Sequence, residues 1–154
     1  MKHLKTCIVI SLDGFIARKD GDLNWMPGNI KKEISAAYEI PSVFIAGVNT
    51  YNMIFRNWGG WPYKSKKTFV VSHYDTNVTR KDNVTFLTDV PLRAINELKS
   101  SSETDIQVIG GGKFITSLIE ASLLDEITLY IVPVMLGDGI KFIGKTFGSK
   151  WELT

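Results

Sequence analysis

Apolar residues fall into short continuous runs, alternating with stretches where they recur every three or four positions. Short apolar runs read as buried strands, and the three-to-four recurrence reads as a helix with one apolar face. Residues 6–12 form the first run, with Ile8, Val9 and Ile10 in sequence and Asp13-Gly14 closing it. Asp20-Gly21-Asp22 predicts a turn. Ile30, Ile34, Ala37 and Tyr38 share a helical face that Pro41 stops. Residues 43–46 give a second strand ended by Gly47, and Asn49 or Thr50 is placed to cap a short helix through Arg56. Trp58-Gly59-Gly60-Trp61-Pro62 predicts a loop. Strands follow at 68–71 and 84–87. Pro91 opens another helix, with Leu92, Ile95 and Leu98 inward and serines 100–102 at its end. Residues 106–109 form a strand that runs into Gly110-Gly111-Gly112. A helix over 113–121 turns Phe114, Ile115, Leu118 and Ile119 inward. A strand over 126–132 ends at Pro133, ahead of Gly137-Asp138-Gly139.

This alternation predicts an α/β protein of three layers, α/β/α, with a mostly parallel central sheet covered on both faces. Ligands of such sheets sit beyond the carboxyl ends of the strands. Three loops leave strands there: Gly47-Val48-Asn49-Thr50, Ser72-His73 and Gly110-Gly111-Gly112. The length of 154 residues, 44% hydrophobic and 22% charged, fits one domain over residues 1–154 and excludes a disordered chain. No run of about 18 apolar residues is present, so no membrane-spanning helix is expected. With 18 basic against 16 acidic residues the net charge is +2, and no broad field selects nucleic acid or an anionic membrane. Lys64, Lys66 and Lys67 form the one dense basic spot, either a solvated turn or a phosphate contact. Cys7 stands alone in an apolar run and reads as a packing thiol. A lone cysteine, with no leader-like apolar stretch at the start, points to a reducing cytoplasm. No grouping has metal-ligand spacing, so no metal is expected.

The triple glycine carries the strongest chemical signal. Glycines between a strand and a helix let a ligand approach the backbone, and the helix start offers free N–H groups to an anion such as pyrophosphate. Each glycine costs roughly 0.5–1 kcal/mol of backbone entropy, more than a plain turn requires. Gly47-Val48-Asn49-Thr50 is a second turn of this kind, so two helix starts converge on one diphosphate, although capping also explains Asn49 and Thr50. Ser72 and His73 suit a ribose or its phosphate. Asp13 either opens a turn or reads a polar ligand group, and Trp25 either walls a pocket or closes the core. Asp125-Glu126 reads as a solvated turn or a catalytic pair.

Four segments occur in order: Ser11-Leu12-Asp13-Gly14-Phe15-Ile16-Ala17, Gly47-x-x-Thr50-Tyr51, Val108-Ile109-Gly110-Gly111-Gly112, and Leu124-Asp125-Glu126 with Pro133-Val134-Met135-Leu136-Gly137-Asp138-Gly139. Together they resemble the dihydrofolate reductase-like superfamily, and within it the C-terminal reductase domain of bacterial riboflavin-biosynthesis deaminase–reductases. The resemblance runs from about Thr6 to Ile143. It implies a central eight-stranded, mostly parallel sheet with NADPH bound across it. Its phosphate turns fall on Gly47, Asn49 and Thr50 and on Gly110, Gly111, Gly112 and Lys113. The adenosine 2′-phosphate falls near Ser72 and His73, and the nicotinamide near Leu12, Asp13 and Ile16. The implied reaction is hydride transfer to a small polar heterocycle, similar to that of 5-amino-6-(5-phosphoribosylamino)uracil reductase, with Asp13 or a water as proton donor. The alternatives are a non-catalytic NADP(H)-binding protein and a broad-substrate or dihydrofolate reductase.

Two departures from the pattern matter. Where dihydrofolate reductases place a pteridine-binding carboxylate, Trp25-Met26-Pro27-Gly28-Asn29 offers Asn29. Glu33, one helical turn on, is either a substitute or part of a solvated face. Trp25, Asn29 and Glu33 are thus the substrate-side candidates. The arginine expected after the first glycine turn is Val48, leaving phosphate charge to Lys113 or the Lys64–Lys67 cluster. The chain also looks short of the family's final strand, so an open sheet edge completed by a second copy, a homodimer, is expected.

Overall fold

The computed structural model describes residues 1–72, 83–88, 91–145 and 148–154. The elements in chain order are β1 (Leu4–Ser11), β2 (Phe15–Ala17), α1 (Gly28–Glu39), β3 (Val43–Gly47), α2 (Val48–Asn57), β4 (Lys67–Val71), β5 (Val84–Leu87), α3 (Pro91–Ser101), β6 (Ile106–Ile109), α4 (Gly112–Glu120), β7 (Glu126–Val132) and β8 (Ile140–Lys141). Six strands form one sheet in the order β5-β4-β3-β6-β1-β7. Every neighbouring pair in it is parallel. The expected three-layer α/β architecture is therefore present.

The central strands explain their own sequences. All five residues of β3 and all four of β6 are buried, because helices cover both faces and no position is left for the polar half of an alternating pattern. The crossovers β1–α1–β3 and β3–α2–β4 step one way along the sheet, and β5–α3–β6 and β6–α4–β7 step the other. Right-handed connections then place α1 and α2 on one face and α3 and α4 on the opposite face. The packing agrees. Tyr51 and Ile54 of α2 join Phe44, Ala46 and Val70, with Tyr38 of α1 against them. On the other face Ile95, Ile115 and Leu118 pack on Ile8, Ile45, Ile106 and Val108.

Two expectations are corrected here. The central sheet of the described residues has six strands rather than eight; β2 and β8 form a separate antiparallel pair. Gly14, at φ 86°, turns the chain off the end of β1, so β2 cannot continue the sheet. In addition, α2 begins at Val48 with Gly47 as its N-cap and no side-chain cap, so neither Asn49 nor Thr50 caps it.

Asp125 is not a free turn residue. Its Oδ2 lies 2.6 Å from the buried Lys99 ammonium and accepts the Leu4 N–H at 2.7 Å. It ties α3 and the start of β7 to the start of β1. No described helix is long and apolar enough to cross a membrane.

Candidate functional site

Strands β3 and β6 are neighbours, yet the chain leaves them in opposite directions, through α2 to β4 and through α4 to β7. Such a reversal opens a crevice at the carboxyl rim, the usual ligand site of a parallel sheet. Helices α2 and α4 both start there. Their N-caps, Gly47 and Gly111, carry no side-chain hydrogen bond, and neither first turn holds an acidic residue. First-turn N–H groups have no partner within a helix and sit at its positive dipole end. The Gly111 N–H donates to Thr50 Oγ1 at 2.9 Å and pins the two turns together. Lys113 is exposed in the first turn of α4, where the dipole disfavours a cation. It makes no ion pair among the described residues. An anion between the turns would offset both features.

The glycines divide by job. A Cβ on Gly47 would stand 3.0 Å from Phe114 Cβ, and one on Gly110 2.9 Å from Phe114 Cδ1. A Cβ on Gly112 would lie 2.3 Å from the Lys141 carbonyl oxygen and 2.4 Å from that of Phe142. Those three are glycine because the protein's own atoms fill the space. Gly111 alone has just Thr50 Oγ1, at 3.4 Å, as a neighbour. Much of the triple glycine is thus a packing requirement, and Gly111 is the one of the three with room for a Cβ.

Asn49 is exposed and lines a shallow cleft on the flank of α2 with Asn52 and Arg56. Arg56 stands in the last turn of α2, two turns from Val48 and away from the glycine turns. Ser72 is buried just beyond β4, its N–H on the Leu87 carbonyl at 3.1 Å. His73 lies outside the described residues. The lysine cluster leads into β4, whose first residue is Lys67, at the amino rim, where Lys66 Nζ donates to the Glu39 carbonyl at 2.6 Å. It is at the wrong end of the sheet to meet a phosphate at the glycine turns.

Asp13 is hydrogen-bonded to the end of β1 and to the segment after β7. Its Oδ1 accepts from Ser11 Oγ at 2.5 Å and from the Leu136 N–H at 3.1 Å, and its Oδ2 accepts from the Gly137 N–H at 2.8 Å. The Ser11 hydroxyl first, then the two backbone amides, hold its carboxyl below the ordinary 3.8. A carboxylate kept ionised and fully engaged is a clamp for the segment after β7, and a poor proton donor near neutral pH. Because the folded value is lowered, the clamp's contribution is complete above the ordinary carboxylate range and is lost as pH falls through the lowered value. An NMR titration of the Asp13 carboxyl is expected to show a midpoint below 3.8; a midpoint above it would count against the clamp. Beside the clamp, Leu12 is exposed and Ile16 half-buried, an apolar lip at the end of β1.

On the α1 face of β1 and β7, Trp25 packs with Val9 and Val132, and Ile30, Ile34 and Tyr130 close around it. Its indole N–H is buried with no hydrogen-bond partner among the described residues; a buried donor left unsatisfied costs about 1–3 kcal/mol. Asn29 and Glu33 are exposed in the first half of α1. The ionisation of Tyr130 is pushed up by desolvation first, with the charges of Cys7 and Glu33 adding to it. Tyr130 had no marker in the sequence, since it sits inside an ordinary strand pattern. Burial likewise pushes the Cys7 thiol up, which suits a packing residue. The described residues hold no cluster able to bind a metal ion.

A six-stranded parallel sheet whose connections reverse between β3 and β6, with glycine turns at that switch point, defines an α/β protein of dihydrofolate reductase-like fold. The dihydrofolate reductase of Enterococcus faecalis, in a structure with NADP(H), matches with a TM-score of 0.69 at 17% identity, over 94% of this chain and 79% of that one. More narrowly, the chain belongs to the RibD C-terminal domain family, whose model matches residues 2–154. A putative riboflavin biosynthesis protein from Shewanella sp. PV-4 matches with a TM-score of 0.81 and 29% identity, over 96% of this chain and 86% of that one. Protein YwjB of Bacillus subtilis is 27% identical over 136 residues, 86% of this chain and 78% of its own.

Proposed function

We propose that the protein is an NADPH-dependent reductase of a small polar heterocycle, akin to the aminouracil reductases of riboflavin biosynthesis. The observation that carries this reading is the pair of uncapped helix starts, α2 and α4, pinned by Thr50 and Gly111 with Lys113 alongside. That donor set suits a diphosphate, and membership of the RibD C-terminal domain family supports it. In this reading the first-turn amides and Lys113 hold the diphosphate, and Ser72 lies toward the adenosine 2′-phosphate. Leu12 and Ile16 wall the nicotinamide side. The cofactor, when bound, supplies the hydride. Trp25, Asn29 and Glu33 face the substrate, where the unpartnered indole N–H finds an acceptor. β1 separates the two clusters by about two strand spacings, roughly 10 Å, a span a nicotinamide and a ring bridge together. With Asp13 engaged as a clamp, the proton comes from solvent. The lone thiol fits work in a reducing cytoplasm.

The test is a titration of NADPH against the fluorescence of the four tryptophans, followed by the absorbance of the reduced nicotinamide with an aminopyrimidine acceptor. Saturable quenching and oxidation are expected. No saturation would overturn the reading, and binding without oxidation across pyrimidine, pterin and quinone acceptors would leave a nucleotide-binding protein instead.

A further inference from the structure

We propose that Cys7 floors the substrate slot beneath α1, setting the size of the ring seated there and being shielded by that ring from alkylation; this role rests on the reductase reading. Alternation along β1 puts Lys5, Cys7 and Val9 on the α1 face, since Leu4 and Ile8 enter the opposite core and Val9 the Trp25 cluster. β1 is paired on both sides, to β6 and to β7, and residues of such a strand are normally buried on both faces. Thr6, Ile8 and Val9 are buried, yet Cys7 between them is only half-buried. The helix over that face is α1, and none of its twelve residues is buried, against two in α2 and four in α4. The thiol thus lies under a loosely seated helix, within reach of a small molecule.

A second feature, independent of the thiol, points to a ligand in the same place. Trp25 is 9% exposed, and its indole N–H has no partner among the described residues. Val9 packs in the Trp25 cluster, and Cys7 is the next residue on that face, roughly 7 Å along the strand. Tyr130 links the two: it closes on Trp25, and its ionisation responds to the charge of Cys7. Thr128 stands beside Cys7 in register on β7. Burial is the main influence on the thiol and keeps it protonated near neutral pH. Such a slot selects by charge and by size. The Trp25 N–H calls for a carbonyl or ring-nitrogen acceptor. A neutral thiol one ring's width away offers no countercharge, so an ionised ring is disfavoured there. It also adds little bulk, leaving room above it. The ligand class that meets both demands is a flat, uncharged heterocycle with an acceptor on one edge.

The experiment reads iodoacetamide labelling by intact mass. The chain has one cysteine, so every adduct is on Cys7. Its sulfur displaces iodide, a carbon–sulfur bond replaces carbon–iodine, and the thiol proton passes to water. The folded chain is expected to label, and saturating 5,6-diaminouracil with NADPH present should slow labelling at least about 10-fold by occupancy. NADPH alone should leave the rate unchanged. Cys7→Leu, checked for fold by circular dichroism, should bind diaminouracil at least about 10-fold more weakly, because the added bulk overfills the slot. Its NADPH affinity, read by tryptophan quenching, should stay parental, and Cys7→Ala should keep both affinities. A thiol that reacts only after unfolding overturns the proposal. Labelling that the pyrimidine does not slow, or that NADPH alone slows equally, overturns it as well. So does a folded Cys7→Leu chain with parental pyrimidine affinity; if that variant fails to fold, the labelling of the parent decides. Failure of NADPH to bind at all would sink the reductase reading instead, while protection by the pyrimidine alone would still place a ring over Cys7.

Discussion

A Gly111→Val chain is expected to keep its fold and lose NADPH. Gly111 has φ −80° and ψ 172°, extended backbone that a β-branched residue adopts without strain. Its Cβ would meet Thr50 Oγ1 at 3.4 Å, an ordinary contact. The two methyls then fill the gap between the α2 and α4 starts, where the diphosphate must approach. Losing one to two hydrogen bonds to a charged group, at about 1.5–3 kcal/mol each, gives roughly 100-fold weaker binding. Thermal melting checks the fold and tryptophan quenching checks affinity. Unchanged affinity would remove the glycine turns from the cofactor site. Gly112→Ala makes the contrast. It drives a methyl into two backbone carbonyls at 2.3 and 2.4 Å, so it should lower the melting temperature by displacing β8, whether or not NADPH is added.

That contrast also marks where the sequence stops being legible. The β–α alternation was readable because residues 43–46 and 106–109 are buried on both faces and therefore continuously apolar. β2 and β8 are three and two residues long; they exist because they pair with each other, and neither carries a periodic pattern of its own. The triple glycine was readable as a turn with spare freedom. That Gly112 is spent on the Lys141 and Phe142 carbonyls depends on a segment far downstream, and no local pattern records it. Asp13 is the same case. Its amide partners, Leu136 and Gly137, lie 123 and 124 residues away, so the clamp they make with it has no local pattern in the sequence. Trp25 shows the reverse. Its burial was expected on either reading, but the unpartnered N–H that favours a ligand is a fact of packing alone.

The largest loss of stability is expected from Asp125→Ala. Lys99 is 6% exposed, and its ammonium has two acceptors, the Leu123 carbonyl at 3.0 Å and Asp125 Oδ2 at 2.6 Å. Removing the carboxylate leaves a buried charge with one neutral acceptor, and the Leu4 N–H loses its acceptor too. Breaking a buried pair from one side costs about 3–5 kcal/mol, which for a domain this size lowers the melting temperature by about 10 °C. Lys99→Met should cost less. It takes the charge out together with its desolvation, and Asp125 keeps the Leu4 amide and some exposure to water. The order of the two variants separates a buried ion pair from a catalytic acid. If Asp125 served the reaction, its alanine variant would melt near the parent and fail in turnover. As a tie between α3 and β1 at the amino rim, opposite the glycine turns, it should melt early while the folded fraction still binds NADPH with parental affinity.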